Sequence, residues 1–186
     1  DASSARDDYV PRMGDLVRLD IADRIATITL DSQHNRNALS RRLVAELAEC
    51  VGAAESAAPR AIVLRHEGPA FCAGADLKER ASDDGPHDSS PMIDVMQRLM
   101  DAECPTIAAV DGAVRAGGIG LMASCDLVVV DESVTFALTE VRIGVAAAII
   151  SVPILRRVPP TRIAAAMLTG EAFDAHEARS MGLVTH

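Results

Sequence analysis

The sequence predicts an α/β domain with βα crossovers, on three observations. Short apolar runs of strand length alternate with stretches whose apolar residues recur at helical spacing. Turns carrying glycine, proline or aspartate separate them. The chain has 186 residues, 49% of them hydrophobic, enough to bury the core of one domain. With one Tyr, three Phe and no Trp, that core must be built from Ala, Val, Leu and Ile.

Residues 1–14 are polar and aperiodic, and are expected to form a flexible N-terminal segment ahead of a core domain spanning 15–186. Residues 16–21 and 25–30 alternate apolar and polar side chains, and the three residues between them are of hairpin length. Residues 31–38 form a loop by composition, with Ser40 as the expected N-cap of a helix over 41–55, where Leu43, Leu47, Cys50, Val51 and Ala54 share one face. After Pro59 a short apolar run, 61–64, ends in Glu67-Gly68-Pro69, which must turn. Residues 81–90 are expected to be a surface loop, and 92–100 an amphipathic helix with Ile93, Met96, Leu99 and Met100 on one face.

Beyond Pro105, residues 106–131 hold the most informative pattern: an apolar run, a turn at Asp111-Gly112, a bend at Ala116-Gly117-Gly118, a short helix and a second apolar run over 127–130. A further short run spans 134–138. An Ala/Ile-rich buried helix containing Pro153 is expected over 146–158, another helix from Pro159-Pro160-Thr161 to Leu168, and a last one capped by Asp174 and ending at Met181. Gly182-Leu183-Val184 reads as the start of a strand.

Charge and composition exclude several functions. Eighteen basic against 27 acidic residues give a net charge of −9, which argues against a nucleic-acid partner. The basic residues are all arginine except Lys78, a bias without a functional reading. Cys50, Cys72, Cys104 and Cys125 lie far apart, without the C-x-x-C pairing of zinc sites, and are expected to be reduced core residues with no metal. No run approaches the ~20 apolar residues of a membrane span, and there is no signal-peptide pattern. A soluble cytoplasmic protein with no membrane partner is the expectation.

A strand, a bend with bare amides and a helix opening from it can bind a phosphate or a developing oxyanion, or can serve only to pack helix on strand. The bend lacks G-x-x-x-x-G-K-[ST] and does not fit G-x-G-x-x-G, and Arg115 is its only cation, so phosphate is the weakest of the three. An oxyanion usually takes two donors. Ala73-Gly74-Ala75-Asp76 is the natural second source: it also follows a strand, its residues are small, and Asp76 is placed to cap or brace it. A proton shuttle must come from elsewhere. Glu140, between the 134–138 run and Ile143-Gly144, is the candidate, against the alternative of a solvated turn glutamate. His34 and His66 are expected to be surface residues, and Asp111 and Asp126 to serve turns and caps. The absence of a G-x-S-x-G elbow weakens any triad hydrolase.

Taken in order, these segments resemble the crotonase, or enoyl-CoA hydratase/isomerase, superfamily over nearly the whole chain after Gly14. The matching stretches are Asn35-Arg36-Asn37-Ala38-Leu39, Phe71 through Glu79, Ala109 through Leu127, Phe136 through Gly144, and Leu168-Thr169-Gly170 through Val184. The resemblance implies a ββα spiral core, coenzyme A thioester substrates, no further cofactor, and a homotrimer or a hexamer made of two trimers. By position it implies that the Ala75 and Gly117 N–H groups form a thioester oxyanion hole, that Glu140 is the acid/base, and that Arg36, Ala38, Ala73, Asp76 and Leu77 lie around coenzyme A; Gly120 and Thr139 join the substrate-binding positions.

Two departures bear on the reaction. Gly120 stands where well-studied hydratases of the family carry a first glutamate, so the chain resembles a single-glutamate branch. One carboxylate suffices to move a proton between C2 and C4, whereas adding water is easiest with two; the context nonetheless resembles sequences called enoyl-CoA hydratase. Ala147 also replaces a proline usual in that branch. Crotonase chains commonly continue for several dozen residues past the equivalent of His186, so the C-terminal helical region is expected to be truncated. The implied activity is an enoyl-CoA hydratase-like lyase, with a Δ3,Δ2-enoyl-CoA isomerase or a non-catalytic acyl-CoA-binding member as alternatives.

Overall fold

The computed structural model describes residues 14–81 and 88–186. The expected flexible segment, apart from Gly14, and the middle of the expected 81–90 loop lie outside the described residues.

The chain opens with the predicted hairpin. β1 (Val17–Ala22) and β2 (Ile25–Leu30) pair antiparallel in register from Val17↔Leu30 to Ala22↔Ile25. Asp23 and Arg24 both take positive φ, 51° and 64°, the tight-turn geometry whose twist matches the strands. Val17 and Leu19 on β1, and Ala26 and Ile28 on β2, point inward with period two. α1 (Arg41–Ser56) follows, its first turn held by Ser40, whose hydroxyl accepts from the Leu43 N–H at 3.2 Å. Its buried residues are the predicted Leu43, Leu47, Cys50, Val51 and Ala54, with Val44 added.

β3 (Ala61–His66) runs two residues beyond the predicted run and pairs parallel with β2. That extension overturns one expectation. Ile62, Leu64 and His66 occupy the inward positions of β3, so His66 is buried rather than on the surface. Its Nε2 lies 2.6 Å from Asp111 Oδ1 and 3.3 Å from the Asp111 N–H. His34 is exposed, as expected.

Three-residue strands that periodicity did not reveal come next. β4 (Ala70–Cys72) leads through the Ala73–Asp76 turn into α2 (Leu77–Ala81), and α3 (Ser90–Met100) packs beside α1 with Val95, Met96 and Leu99 inward. β5 (Thr106–Val110) lies parallel to β3, and β6 (Ala113–Arg115) parallel to β4. α4 (Gly117–Ala123) and β7 (Leu127–Val130) complete the central stretch. Asp126 ties the two ends of β5 and β7 together: its carboxylate accepts from the Thr106 N–H at 2.9 Å and hydroxyl at 3.1 Å.

β8 (Thr135–Ala137) pairs parallel with β6. A 3₁₀ turn, Thr139–Ile143, then closes at Gly144 in the left-handed region. α5 (Ala148–Leu155) is shorter than the predicted 146–158 helix and only part buried: Ile150, Pro153 and Ile154 face in while Val152 and Leu155 face solvent. An Ala/Ile-rich run is apolar all round, so its pattern cannot show which side is covered. α6 (Pro160–Thr169) ends at Gly170 with φ 67°. β9 (Ala172–Asp174) pairs antiparallel with β8, and α7 (Ala175–Met181) starts from the predicted Asp174 cap, a full capping box with Glu177. Residues 182–184 do not begin a strand. The Thr185 and His186 amides both bond to the Val128 carbonyl, which breaks the alternation a ladder requires.

Among the described residues the strands form two sheets, ordered β1-β2-β3-β5-β7 and β4-β6-β8-β9. α1 covers the hairpin end of the first; α4 lies against β4, β6 and α5. The decisive feature for function is that β4, β6 and β8 are parallel neighbours, so their carboxyl ends open along one edge. Loops at such an edge are where open α/β sheets hold ligands. No helix among the described residues is long and apolar enough to cross a membrane.

Candidate functional site

The three loops leaving β4, β6 and β8 carry Ala73–Asp76, Ala116–Gly117 and Thr139–Glu140, and they meet around a cavity of about 640 Å³. Of the residues expected at the site, Ala73, Ala75, Leu77, Gly117, Thr139 and Glu140 line it. Arg36, Ala38, Asp76 and Gly120 do not. Its remaining wall is apolar along Val44 on α1, Met92 on α3 and residues 145–150, with Arg41, Asp88, Ser89 and Arg142 also lining it.

The first loop is fixed from several sides. Gly74 takes φ +89°, and its carbonyl accepts from the Leu39 N–H at 2.7 Å. Leu39 and Ala75 form an isolated parallel bridge, in which the residues flanking Ala75 carry the bonds to Leu39; the Ala75 amide is left out of that pairing. A methyl on Gly74 would lie 2.8 Å from Ala116 Cβ, so this loop and the second one touch. Asp76 braces the far side: its carboxylate accepts from the Lys78 and Glu79 amides at 3.1 and 3.2 Å and from Asn35 Nδ2 at 3.1 Å. These bonds, the Glu79 amide first, hold the Asp76 carboxyl below its ordinary value, against the opposing effect of burial. Asp76 is thus the cap of α2 that its position suggested.

Arg36 and Ala38 contribute backbone bonds. The exposed Arg36 accepts from the Ala73 N–H at 3.0 Å through its carbonyl, and the buried Ala38 accepts from the Ser40 N–H at 2.8 Å. Between them Asn37 is fully buried with φ +53°. Its Oδ1 accepts from the Ser32 N–H at 2.6 Å, and its Nδ2 donates to the Glu67 and Ala70 carbonyls at 3.1 and 2.8 Å. Asn37 therefore clips the loop before α1 onto the turn that starts β4. In the sequence Asn37 stands out only within the Asn35–Leu39 motif; an asparagine three residues before the helix cap is the available signal.

The second loop holds Ala116 at φ 48°, ψ −121°, a conformation L residues rarely take and one that costs about 1–3 kcal/mol. The Ala116 N–H donates to the Ala137 carbonyl at 2.9 Å, and the Ala116 carbonyl accepts from Ile119, which together hold it there. The kink delivers Gly117 as the first residue of α4, where its amide has no partner within the helix and the helix dipole is positive. A methyl on Gly118 would fall 2.6 Å from Cys72 Cβ, so that glycine seats α4 directly on β4. Arg115 does not face an anion: its guanidinium donates to the Val114 and Thr135 carbonyls and the Thr135 hydroxyl.

The third loop supplies the acid. Glu140 is half-buried on the 3₁₀ turn, and its Oε2 is buried without a hydrogen-bond partner. Burial pushes its carboxyl above the ordinary value, its own backbone amide pulling weakly the other way. A carboxylate of raised basicity with one oxygen unpartnered on the cavity wall is suited to taking and returning a proton. It is not the solvated turn glutamate that remained the alternative. Cys72 lies nearby, but burial pushes its thiol up to about 12, so it is no nucleophile. Among the described residues no group of three or more His, Cys, Asp or Glu side chains is arranged to hold a metal.

Residues 20–186 match the family described as enoyl-CoA hydratase/isomerase. A solved enoyl-CoA hydratase from Mycobacterium avium is 43% identical, with a TM-score of 0.79 and a match covering 92% of this chain and 69% of that one. The mitochondrial methylglutaconyl-CoA hydratase of Mus musculus is 33% identical over 87% of this chain and 54% of its own length. The enoyl-CoA isomerase/hydratase fer4 of Mycosarcoma maydis is 31% identical over 86% of this chain and 63% of its own. Across the first curated relatives the chain spans between 54% and 66% of their length.

Proposed function

The chain belongs to the enoyl-CoA hydratase/isomerase family, and we propose that it is a hydratase-like lyase that adds water to a 2-enoyl-CoA thioester. The thioester carbonyl oxygen accepts from the Ala75 and Gly117 amides. Glu140 takes a proton from water as its oxygen bonds to C3, electrons pass through C2 onto the carbonyl oxygen as an enolate, and the same proton returns to C2. Each amide aimed at the developing oxyanion is worth about 3 kcal/mol. The observation that carries this reading is the buried, unpartnered Glu140 Oε2 on the wall of the cavity that Ala75 and Gly117 also line. The step uses no cofactor beyond the coenzyme A of the substrate. Assembly as a homotrimer or hexamer belongs to the same proposal and is checked by sedimentation.

A second reading has its own observation. Gly120 is buried against Ile150, so no second carboxylate stands one turn along α4. A Δ3,Δ2-enoyl-CoA isomerase needs only one: Glu140 would remove the C2 proton of a 3-enoyl thioester and deliver it to C4. Reaction in ¹⁸O-labelled water separates the two. The hydratase incorporates label into a 3-hydroxyacyl product from crotonyl-CoA; the isomerase converts a 3-enoyl to a 2-enoyl thioester without label. Acyl-CoA binding with no turnover of either substrate would identify a non-catalytic member.

A further inference from the structure

Ile150, near the start of α5, stands between the cavity and Gly120. It lines the cavity, whereas Gly120 does not, and it is only 5% exposed. A methyl on Gly120 would fall 2.4 Å from Ile150 Cγ2, 2.6 Å from its Cβ and 3.2 Å from its Cα. The last two atoms are fixed to the backbone of α5, so rotating the side chain cannot relieve the contact. Residues 145–150 contribute only Val, Ala and Ile side chains to the wall on this side. Gly120 lies three residues after Gly117 on α4, about 4.5 Å along the helix at 1.5 Å per residue. A thioester whose carbonyl is seated on the Gly117 amide would bring its C3 and C4 to about that distance.

We infer that Ile150 is the residue that sets the specificity for acyl branching: it closes the cavity over Gly120 with a branched apolar side chain, so the site takes an acyl group unbranched at C3–C4. This rests on the oxyanion-hole reading, since it places the carbonyl at Gly117. An extra branch would collide with Ile150.

The test measures binding of saturated, unreactive thioesters by calorimetry: butyryl- and 3-methylbutyryl-CoA, with the parent, Ile150→Val, Ile150→Ala and Gly120→Ala. The parent is expected to bind butyryl-CoA at least tenfold more tightly than 3-methylbutyryl-CoA, the scale of one misplaced group in an apolar pocket. Ile150→Ala should shift the ratio of 3-methylbutyryl- to butyryl-CoA affinity about tenfold toward the branched chain, and Ile150→Val should shift it less in the same direction. Gly120→Ala pushes Ile150 into the cavity and should shift it the opposite way. Ratios within one variant are insensitive to the fraction folded, and Ile150→Val, which deletes one methyl, suffices if the others do not fold. Unchanged ratios in the Ile150 variants, or 3-methylbutyryl-CoA bound by the parent as tightly as butyryl-CoA, overturn the inference while leaving the thioester site intact. Failure of the parent to bind either one overturns the thioester reading and the inference with it.

Discussion

Replacing Gly118 by alanine separates a glycine kept for packing from one that also aims a catalytic amide. The added methyl would sit 2.6 Å from Cys72 Cβ and 3.2 Å from the Cys72 carbonyl oxygen. Carbon atoms rest at about 3.5–4.0 Å, so α4 must lift from β4 by roughly 1 Å. Overpacking of this kind costs about 1–3 kcal/mol, and exchanging a helical glycine for alanine returns about 1 kcal/mol, leaving a net loss of roughly 0–2 kcal/mol. At about 2–4 °C per kcal/mol for a chain of this size, Tm should fall by at most about 8 °C. The catalytic effect is larger. Gly117 moves with the helix while Ala75 stays on the β4 loop, and a misplacement of about 1 Å costs on the order of 10²-fold. The assay pairs thermal unfolding with kcat/KM for crotonyl-CoA hydration. A variant that loses several degrees of Tm but keeps its kcat/KM refutes the reasoning and leaves the bend as packing alone.

Three further outcomes follow from the same geometry. Asn37→Ala strands the Ser32 amide and the Glu67 and Ala70 carbonyls; at about 1–3 kcal/mol for buried groups left unpaired, Tm should drop by roughly 5–10 °C, read by calorimetry. Asp174→Ala removes the capping box of α7 at a cost of about 1 kcal/mol, lowering Tm by a few degrees with kcat/KM unchanged. Glu140→Gln tests the raised carboxyl. A carboxyl whose folded value exceeds its unfolded value favours the fold while protonated, and that contribution is lost as pH rises through the folded value. The Tm of Glu140→Gln relative to the parent should therefore rise with pH above the ordinary carboxyl value and then level off; a difference that falls with pH contradicts the burial of an ionising group.

Much of this is legible in the sequence, and the illegible part has a common physical cause. The hairpin and α1 carry local signals, period two and a serine cap before a 3.6-residue stripe, and both stand where those signals put them. The capping box of α7 is equally local. The two amide-bearing loops could be paired from sequence because each follows a strand and each is made of small residues. Strands β4, β6 and β9 have three residues apiece, too short to display a period, and exist only because partners some 40 residues apart, such as Ala70 and Ala113, come together. His66 was misjudged by two residues of strand length, which turned an apparent loop residue into an inward one. Ile150 over Gly120 joins positions 30 residues apart through helix packing, and no local pattern announces it.

The central claim is that Glu140 moves the proton in a site whose thioester is held by backbone amides. Its most direct measurement is kcat for crotonyl-CoA hydration by Glu140→Gln beside the Kd of the same variant for butyryl-CoA. Removing the Glu140 carboxyl should lower kcat by about 10²–10⁴-fold while the Kd stays within about threefold of the parent. Turnover at the parental rate by Glu140→Gln would contradict the account.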